Sequence, residues 1–162
     1  MVDSGHFWCY YDFTKLIKGK DMLFLTGEYN HQIDAKNRIR IPTKLKGTED
    51  SLYFSKGTNH CLYVFTVAAV QQKFAALEEV KLNDTEKQKG LRAFTKSFQL
   101  VESDGQGRMI IPSALKQFAQ IEKDIVICGA GSHIEIWAKE VYDEYFKDED
   151  VDFDALFNTL DI

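Results

Sequence analysis

Residues 34–42 read DAKNRIRIP and residues 104–112 read DGQGRMIIP, so one short pattern occurs twice at an offset of 70. Each copy consists of Asp, two variable residues, a residue that tolerates positive φ, Arg, a short apolar-rich run and Pro. Asn37 and Gly107 occupy the fourth position, and both residue types readily adopt a left-handed backbone conformation. Each copy therefore predicts a tight turn that presents an arginine and leads into a strand.

The segments that follow the two copies also correspond. Residues 51–55 and 61–65 predict one hairpin, and residues 124–128 and 134–137 predict a second. A proline precedes a short helix in each copy, because proline fits the first position of a helix. The order strand, turn, strand, short helix, hairpin and helix occurs twice, which favours two half-barrels that bury their sheets together over a solenoid.

Longer helices are predicted after the first hairpin. Apolar residues at helical spacing predict a helix over residues 67–82, with Thr66 as its N-cap. A second helix is predicted over about residues 85–98, with Asn83 or Asp84 as its cap. These helices lie between the two copies of the pattern.

Length and composition are those of one folded domain or of two small halves that share a core. The chain has 162 residues, of which 44% are hydrophobic and 13% are aromatic. We expect an N-terminal extension outside the core over residues 1–21, a first half over 22–83, a second half over 84–147 and an acidic tail over 148–162.

The sequence predicts a cytoplasmic protein with no membrane partner. No run of about 18 apolar residues is present, and the N-terminal residues lack the pattern of a signal peptide. Cys9, Cys61 and Cys128 are odd in number and show no CxxC spacing, which fits a reducing compartment.

The net charge of −5 is unevenly distributed along the chain. Residues 140–162 carry nine acids against one base, which leaves residues 1–139 at a net +3. The segment 34–46 carries five bases against Asp34 alone. This asymmetry indicates a localised basic face with an acidic tail, although a solvated loop remains an alternative for the basic segment. The tail could moderate the binding of a polyanion to that face by mimicking phosphate, or it could simply increase solubility.

The two copies and their hairpins resemble the AbrB/SpoVT swapped-hairpin DNA-binding unit. GEYNHQIDAK at residues 27–36 and IEIWAKEVYDEY at residues 134–145 are similar to the MraZ family of bacterial transcription regulators. The resemblance covers about residues 22–147. It implies a mixed β fold with flanking helices, in which two tandem AbrB-like halves of one chain form a pseudo-twofold swapped-hairpin β-barrel.

The resemblance also implies a function. Proteins of this family form ring-shaped homo-oligomers, bind short direct repeats of double-stranded DNA in a promoter, and regulate the cell division and cell wall gene cluster, usually as repressors. A nucleoid-associated, sequence-specific regulator of this kind needs no cofactor, no metal and no small-molecule substrate, and it is not an enzyme.

The resemblance assigns the DNA-contacting arginine of each copy to Arg38 and Arg108, and the Asp of the pattern to Asp34 and Asp104. The family has Gly before the arginine in both copies, whereas the first copy here has Asn37. Asn reaches positive φ, so we expect the turn to form and the two halves to differ in detail.

The chemistry of these side chains leaves alternatives open. The planar fork of Arg38 and Arg108 suits guanine or phosphate, but each arginine could also form a salt bridge with the Asp of its own turn. Four further basic residues are candidate phosphate contacts or members of a solvated face: Lys36, Arg40, Lys44 and Lys46. The second copy has Ile110 where the first has Arg40, so we expect the first copy to contribute more of the salt-dependent binding.

Other functional classes have weaker support. His60 and His133 correspond between the copies, but His60 and Cys61 are adjacent on a strand and so point to opposite faces, which disfavours a shared zinc ion. The sequence contains no nucleophile elbow, Walker-type loop or zincin pattern. A swapped-hairpin module that binds another protein, as antitoxin-like units do, remains the main alternative.

Overall fold

The computed structural model describes residues 24–162, apart from the side chains of residues 150 and 151. The extension predicted over residues 1–21 lies outside the described residues. None of the helices within residues 24–162 combines the length and apolar character needed to cross a membrane.

The chain passes twice through the same order of elements. The first copy contains β1 (Glu28–Gln32), β2 (Arg38–Ile39), α1 (Thr43–Lys46), β3 (Ser51–Lys56), β4 (Leu62–Thr66) and α2 (Val67–Lys73). A 3-10 segment (Ala75–Glu79) and α3 (Thr85–Thr95) follow. The second copy contains β5 (Gln99–Glu102), β6 (Met109–Ile110), α4 (Ser113–Phe118), β7 (Asp124–Gly129), β8 (Ile134–Ala138) and α5 (Lys139–Tyr145), and α6 (Glu149–Asn158) ends the chain. Both predicted hairpins and both proline-led short helices are confirmed.

The two copies exchange strands within one antiparallel sheet. Its order is β1-β7-β8-β4-β3-β5, so the first strand of each copy pairs with the hairpin of the other copy. The two hairpins meet along β4 and β8, where Leu62 lies opposite Ile136. Neither copy therefore completes its part of the sheet alone.

The closed β-barrel expected from the resemblance is not formed by the hydrogen-bonded strands of residues 24–162. β1 and β5 each have one partner strand and are the edges of an open sheet, while β2 and β6 pair with each other in a separate two-stranded ribbon. The ribbon strands are short because each begins after a left-handed turn residue and is soon followed by a proline, which has no N–H to extend the ladder. The broader expectation, antiparallel strands with flanking helices, is confirmed.

The ribbon is anchored on the main hydrophobic core. Ile39 and Met109 are buried in the same cluster as Leu52 and Phe54 of β3. Full burial of a side chain of this size contributes about 1.5–3 kcal/mol relative to leaving it exposed. The ribbon is thus held through one face, and its other face is available to solvent.

A smaller cluster lies on the other side of the sheet. Cys61, Val126 and Trp137 are buried there against Tyr142 and Phe146 of the α5 region. Because neighbouring residues of a strand point to opposite faces, Cys61 belongs to this cluster while Leu62 belongs to the main core.

The helix predicted over residues 67–82 is interrupted at Phe74, where φ is −103° and ψ is 6°. The ring centroid of Phe74 lies 5.5 Å from that of Phe65 and 5.2 Å from that of Phe94. The break thus coincides with packing of Phe74 against a distant helix, which the spacing of apolar residues does not reveal. Thr66 is confirmed as the cap, because its Oγ1 accepts a hydrogen bond from the Ala69 N–H at 3.1 Å.

Helix α3 begins after Asp84, whose Oδ1 accepts a hydrogen bond from the Lys87 N–H at 3.1 Å. Of the two candidate caps, Asp84 is the one used. The acidic segment after residue 147 contains a helix, α6, that the sequence reading did not predict.

Candidate nucleic-acid interface

The first Asp–Arg turn is closed by the carboxylate of Asp34. Its Oδ1 accepts hydrogen bonds from the backbone N–H groups of Lys36 and Arg38, both at 2.9 Å. Its Oδ2 accepts a hydrogen bond from Nε of Arg38 at 2.7 Å. The N–H of Asn37 donates to the Asp34 carbonyl at 3.0 Å, and Asn37 has a φ of 60°. One carboxylate thus sets both the turn backbone and the direction of the arginine.

The second turn has the same geometry. Oδ1 of Asp104 accepts from the N–H groups of Gln106 and Arg108 at 2.9 Å each, and Oδ2 accepts from Nε of Arg108 at 2.8 Å. Gly107 has a φ of 76°, and its N–H donates to the Asp104 carbonyl at 3.0 Å. The prediction that Asn37 can replace Gly at this position is confirmed, because both residues occupy the left-handed region.

These hydrogen bonds keep both carboxylates ionised. The backbone N–H of Arg108 is the main reason that the pKa of Asp104 falls from 3.8 to about 2, and the corresponding N–H of Arg38 lowers the pKa of Asp34. An acid with such a low pKa cannot exchange protons near neutral pH. Its role here is to brace the turn and to hold the arginine.

The intra-turn ion pair, one of the two alternatives for each arginine, is present in both copies. It engages Nε only. Within residues 24–162, the terminal nitrogens of Arg38 and Arg108 have no hydrogen-bond partner, and the two side chains are 22% and 27% exposed. The guanidinium therefore keeps its outer edge, with up to four N–H donors, for an external acceptor. The ion pair and an external contact are compatible.

The ribbon brings the two turns together. Ile39 pairs with Met109, and these residues are repeat-mates at the offset of 70, so the pair lies on the local symmetry axis. Arg38 lies opposite Ile110, and the hydrogen bond from Ile111 N–H to the Asn37 carbonyl at 2.9 Å continues the same register.

The same register, extended by one residue in the other direction, sets Arg40 opposite Arg108. Since Ile39 and Met109 face the core, the residues on either side of them share the outer face of the ribbon. We call this the ribbon face, and it consists of Arg38, Arg40, Arg108 and Ile110.

The two turns differ at Asn37. Its Oδ1 accepts a hydrogen bond from Nζ of Lys116 at 2.9 Å, and Lys116 lies on α4 of the other copy. Gly107 offers no such acceptor. The sequence reading did not select Lys116, although it is the repeat-mate of the candidate Lys46 at the offset of 70. The correspondence between Lys46 and Lys116 is the feature of the sequence from which Lys116 could have been selected.

The candidate lysines lie around the ribbon rather than on it. Lys36 is an exposed residue of the first turn. Lys44 and Lys46 belong to α1, which is attached to the core through buried Leu45. The structure joins Arg38, Arg40 and Arg108 on one face, while Lys36 lies in the first turn and Lys44 and Lys46 lie on the short helix that follows the first ribbon strand.

The two histidines have separate surroundings. Nδ1 of His60 is 3.1 Å from the carbonyl oxygen of Phe118, and Nε2 of His133 is 3.2 Å from Oε1 of Glu135. Across residues 24–162, no group of three or more His, Cys, Asp or Glu side chains is arranged to hold a metal ion. Burial raises the pKa of the Cys128 thiol to about 12 and also raises that of Cys61, so both thiols are poor nucleophiles.

Comparison with known proteins adds independent information. A family model described as "MraZ protein, putative antitoxin-like" matches residues 95–161. A protein named Transcriptional regulator MraZ from Thermoanaerobacter pseudethanolicus is 39% identical over 142 residues, which cover 85% of this chain and 96% of that protein. The protein with the same name from Clostridium beijerinckii is 39% identical over 80% of this chain and 92% of its own length. The one from Finegoldia magna is 34% identical over 83% of this chain and 97% of its own length.

The relatives named as transcriptional regulators align with this chain along nearly their full length, and the chain carries a duplicated Asp–Arg turn on a fold of antiparallel strands. The class of protein is therefore a transcription regulator. Within that class, the chain belongs to the MraZ family.

Proposed function

We propose that the ribbon face binds double-stranded DNA and that the protein regulates transcription through this contact. The observation that carries the proposal is the paired turn geometry: two arginines, each aligned by its own Asp through Nε, lie on one exposed ribbon. The ribbon is narrow enough for the major groove, which admits a two-stranded β-ribbon.

The arginines are prepared for recognition. A guanidinium held by Nε presents its two terminal nitrogens as a planar fork, which fits O6 and N7 of guanine or two phosphate oxygens. Because Asp34 and Asp104 already restrict the side chains, less rotamer entropy is lost on binding. We therefore assign base reading or close phosphate contact to Arg38 and Arg108.

The surrounding bases supply affinity that does not depend on sequence. Lys36, Arg40, Lys44 and Lys46 are proposed as phosphate contacts. Lys116 already reaches the first turn, and the repeat offset puts Lys46 in the corresponding position beside the second turn. Each turn would then receive a lysine from the short helix of the other copy.

The finer description of the fold is also a proposal. The exchange of β1 and β5 between copies supports two AbrB-like halves with swapped hairpins, related by a pseudo-twofold axis through the Ile39–Met109 pair. We propose residues 22–83 and 84–147 as these halves. The acidic segment 148–162 lies outside both.

Several chains acting together would provide selectivity. One ribbon contacts few bases, whereas a ring-shaped homo-oligomer that presents several ribbons to tandem promoter repeats gains through effective concentration. We propose such a ring, acting on the cell division and cell wall gene cluster, usually as a repressor. The protein would then be found in the cytoplasm, on the nucleoid.

A protein partner is the second candidate function. It is favoured by the antitoxin-like description of the matching family model. In that case the ribbon face would bind an acidic protein surface, and binding to DNA at low salt would be weak and independent of sequence.

Titration of a labelled promoter duplex distinguishes the two. We expect tight binding to a tandem-repeat duplex, weaker binding to one repeat and still weaker binding to a scrambled duplex. Arg38→Ala and Arg108→Ala should each weaken binding by about 1–3 kcal/mol, roughly five- to 150-fold. Arg38→Lys should also weaken binding, because it keeps the charge and loses the fork.

Lys147→Ala is the matched control, since it removes one positive charge just after α5, whose Tyr142 packs in the smaller cluster and not in the main core that holds the ribbon. If Arg38→Ala weakened binding no more than Lys147→Ala does, the site would lie elsewhere. A flat titration with every duplex at low salt would favour the protein partner.

A further inference from the structure

Helix α6 and the turn after it present apolar side chains that remain exposed among residues 24–162. Phe153, Leu156 and Phe157 recur at helical spacing on α6, Leu160 follows in the turn after it, and these side chains are 56%, 49%, 46% and 61% exposed, respectively. Every side chain described from residue 152 onward is exposed. Such an exposed apolar stripe is suited to bury itself against another surface.

A matching surface lies among the helices that connect the two copies of the Asp–Arg pattern. Between α2 and α3 is a cavity of about 190 Å³ lined by Val70, Phe74, Leu77, Phe94, Thr95 and Phe98. We call it the aromatic groove. An apolar cavity of about 150 Å³ is large enough to hold a benzene ring, so the groove has room for one phenyl side chain.

The charges of the two surfaces are opposite. Residues 148–162 carry six acids and no base. Along the groove, residues 85–96 carry Lys87, Lys89, Arg92 and Lys96 against Glu86 alone, and these basic residues are exposed. A basic rim beside an apolar groove favours an acidic helix with an aromatic stripe over a neutral or basic one.

We propose that α6 of one chain docks in the aromatic groove of a second copy, with Phe153 or Phe157 in the cavity. Because α6 and the groove are different surfaces of the chain, the contact is head-to-tail and continues from chain to chain until a ring closes, unless two chains exchange α6 reciprocally and form a dimer. The proposal rests on the self-assembly suggested under Proposed function and names the surfaces that produce it.

A crosslink between two different chains tests this docking directly. Two tagged variants, Phe157→Cys and Thr95→Cys, are expressed together and treated with a short thiol crosslinker. We expect a product that carries both tags. Phe157→Cys with Thr43→Cys, an exposed position on α1, is the matched control and should give only the background of two wild-type chains. Absence of the two-tag product would overturn the proposal.

A chain that carries both cysteines addresses the alternative of docking within one chain. If it crosslinks internally while the separate variants give no two-tag product, α6 binds its own groove and the proposal is wrong.

Solution mass provides the second measurement. Light scattering of the wild type should give a multiple of 18.6 kDa, and Phe153→Ser with Phe157→Ser should shift the mass toward 18.6 kDa by weakening self-association at least roughly tenfold. Ile162→Ser is the control, because Ile162 is 91% exposed and lies beyond the helix. A wild-type monomer, or an unchanged mass for the double variant, would overturn the proposal.

DNA binding separates this inference from the proposed function. The double variant keeps the ribbon face, so it should bind a single-repeat duplex like the wild type and lose most of its preference for the tandem duplex. Loss of assembly without loss of single-repeat binding supports both proposals. Intact assembly with no DNA binding would refute the proposed function alone, and intact assembly in the double variant would refute the docking alone.

Discussion

Exchange of Arg40 and Ile110 tests whether the two halves contribute unequally to DNA binding. These residues are repeat-mates at the offset of 70 and both belong to the ribbon face. Arg40 is exposed and Ile110 is 57% exposed, so substitution at either position leaves the core intact. Arg40→Ile makes the first half resemble the second, and Ile110→Arg makes the second resemble the first.

The expected magnitude follows from counterion release. Each phosphate that a basic side chain neutralises contributes about 0.9 to the slope of log K against log salt concentration. Arg40→Ile should therefore reduce the slope by about 0.9, so that the loss in affinity between 50 and 200 mM salt is roughly 3.5-fold smaller. Ile110→Arg should increase the slope by a similar amount, and the double exchange should restore it.

Fluorescence anisotropy with a tandem-repeat duplex, at several salt concentrations, gives these slopes. Thermal unfolding of each variant serves as the control that the fold is unchanged. Equal slopes for wild type and Arg40→Ile would refute the phosphate contact at position 40. A double exchange with the slope of Arg40→Ile alone would show that position 110 does not reach the phosphates.

Three further results are expected. Asn37→Val should destabilise the fold by about 1–2 kcal/mol in denaturant unfolding, because a β-branched residue is strained at a φ of 60°. Asn37→Gly should have a small effect, and equal stabilities of the Val and Gly variants would contradict the turn geometry. An NMR titration of the Asp104 carboxyl should give a pKa near 2. Because this folded-state pKa lies below the usual 3.8, the ionised carboxylate stabilises the fold fully above about pH 4, and this stabilisation is lost as the pH falls toward 2. A titration midpoint near 3.8 would exclude the bracing hydrogen bonds. Met109→Ala should lower the free energy of unfolding by about 2–5 kcal/mol, because Met109 is 1% exposed and joins the ribbon to the core; a loss below about 1 kcal/mol would contradict that anchoring.

The sequence by itself determined the features that depend on neighbouring residues. The two Asp–Arg turns form because the Asp, the positive-φ residue and the Arg lie within five positions and close their own hydrogen bonds. The hairpins and the cap at Thr66 follow from alternation and from short-range hydrogen bonding in the same way. The candidate arginines could therefore be selected before the fold was known.

Only the tertiary structure decided how the copies combine. β1 pairs with β7, Lys116 reaches Asn37, and the Phe74 ring meets Phe94, all across large separations in sequence. The open sheet in place of a closed barrel is a feature of the same kind. A periodic pattern specifies which face of an element is apolar, but the choice of partner for that face depends on packing among all the elements together, and no local pattern encodes it.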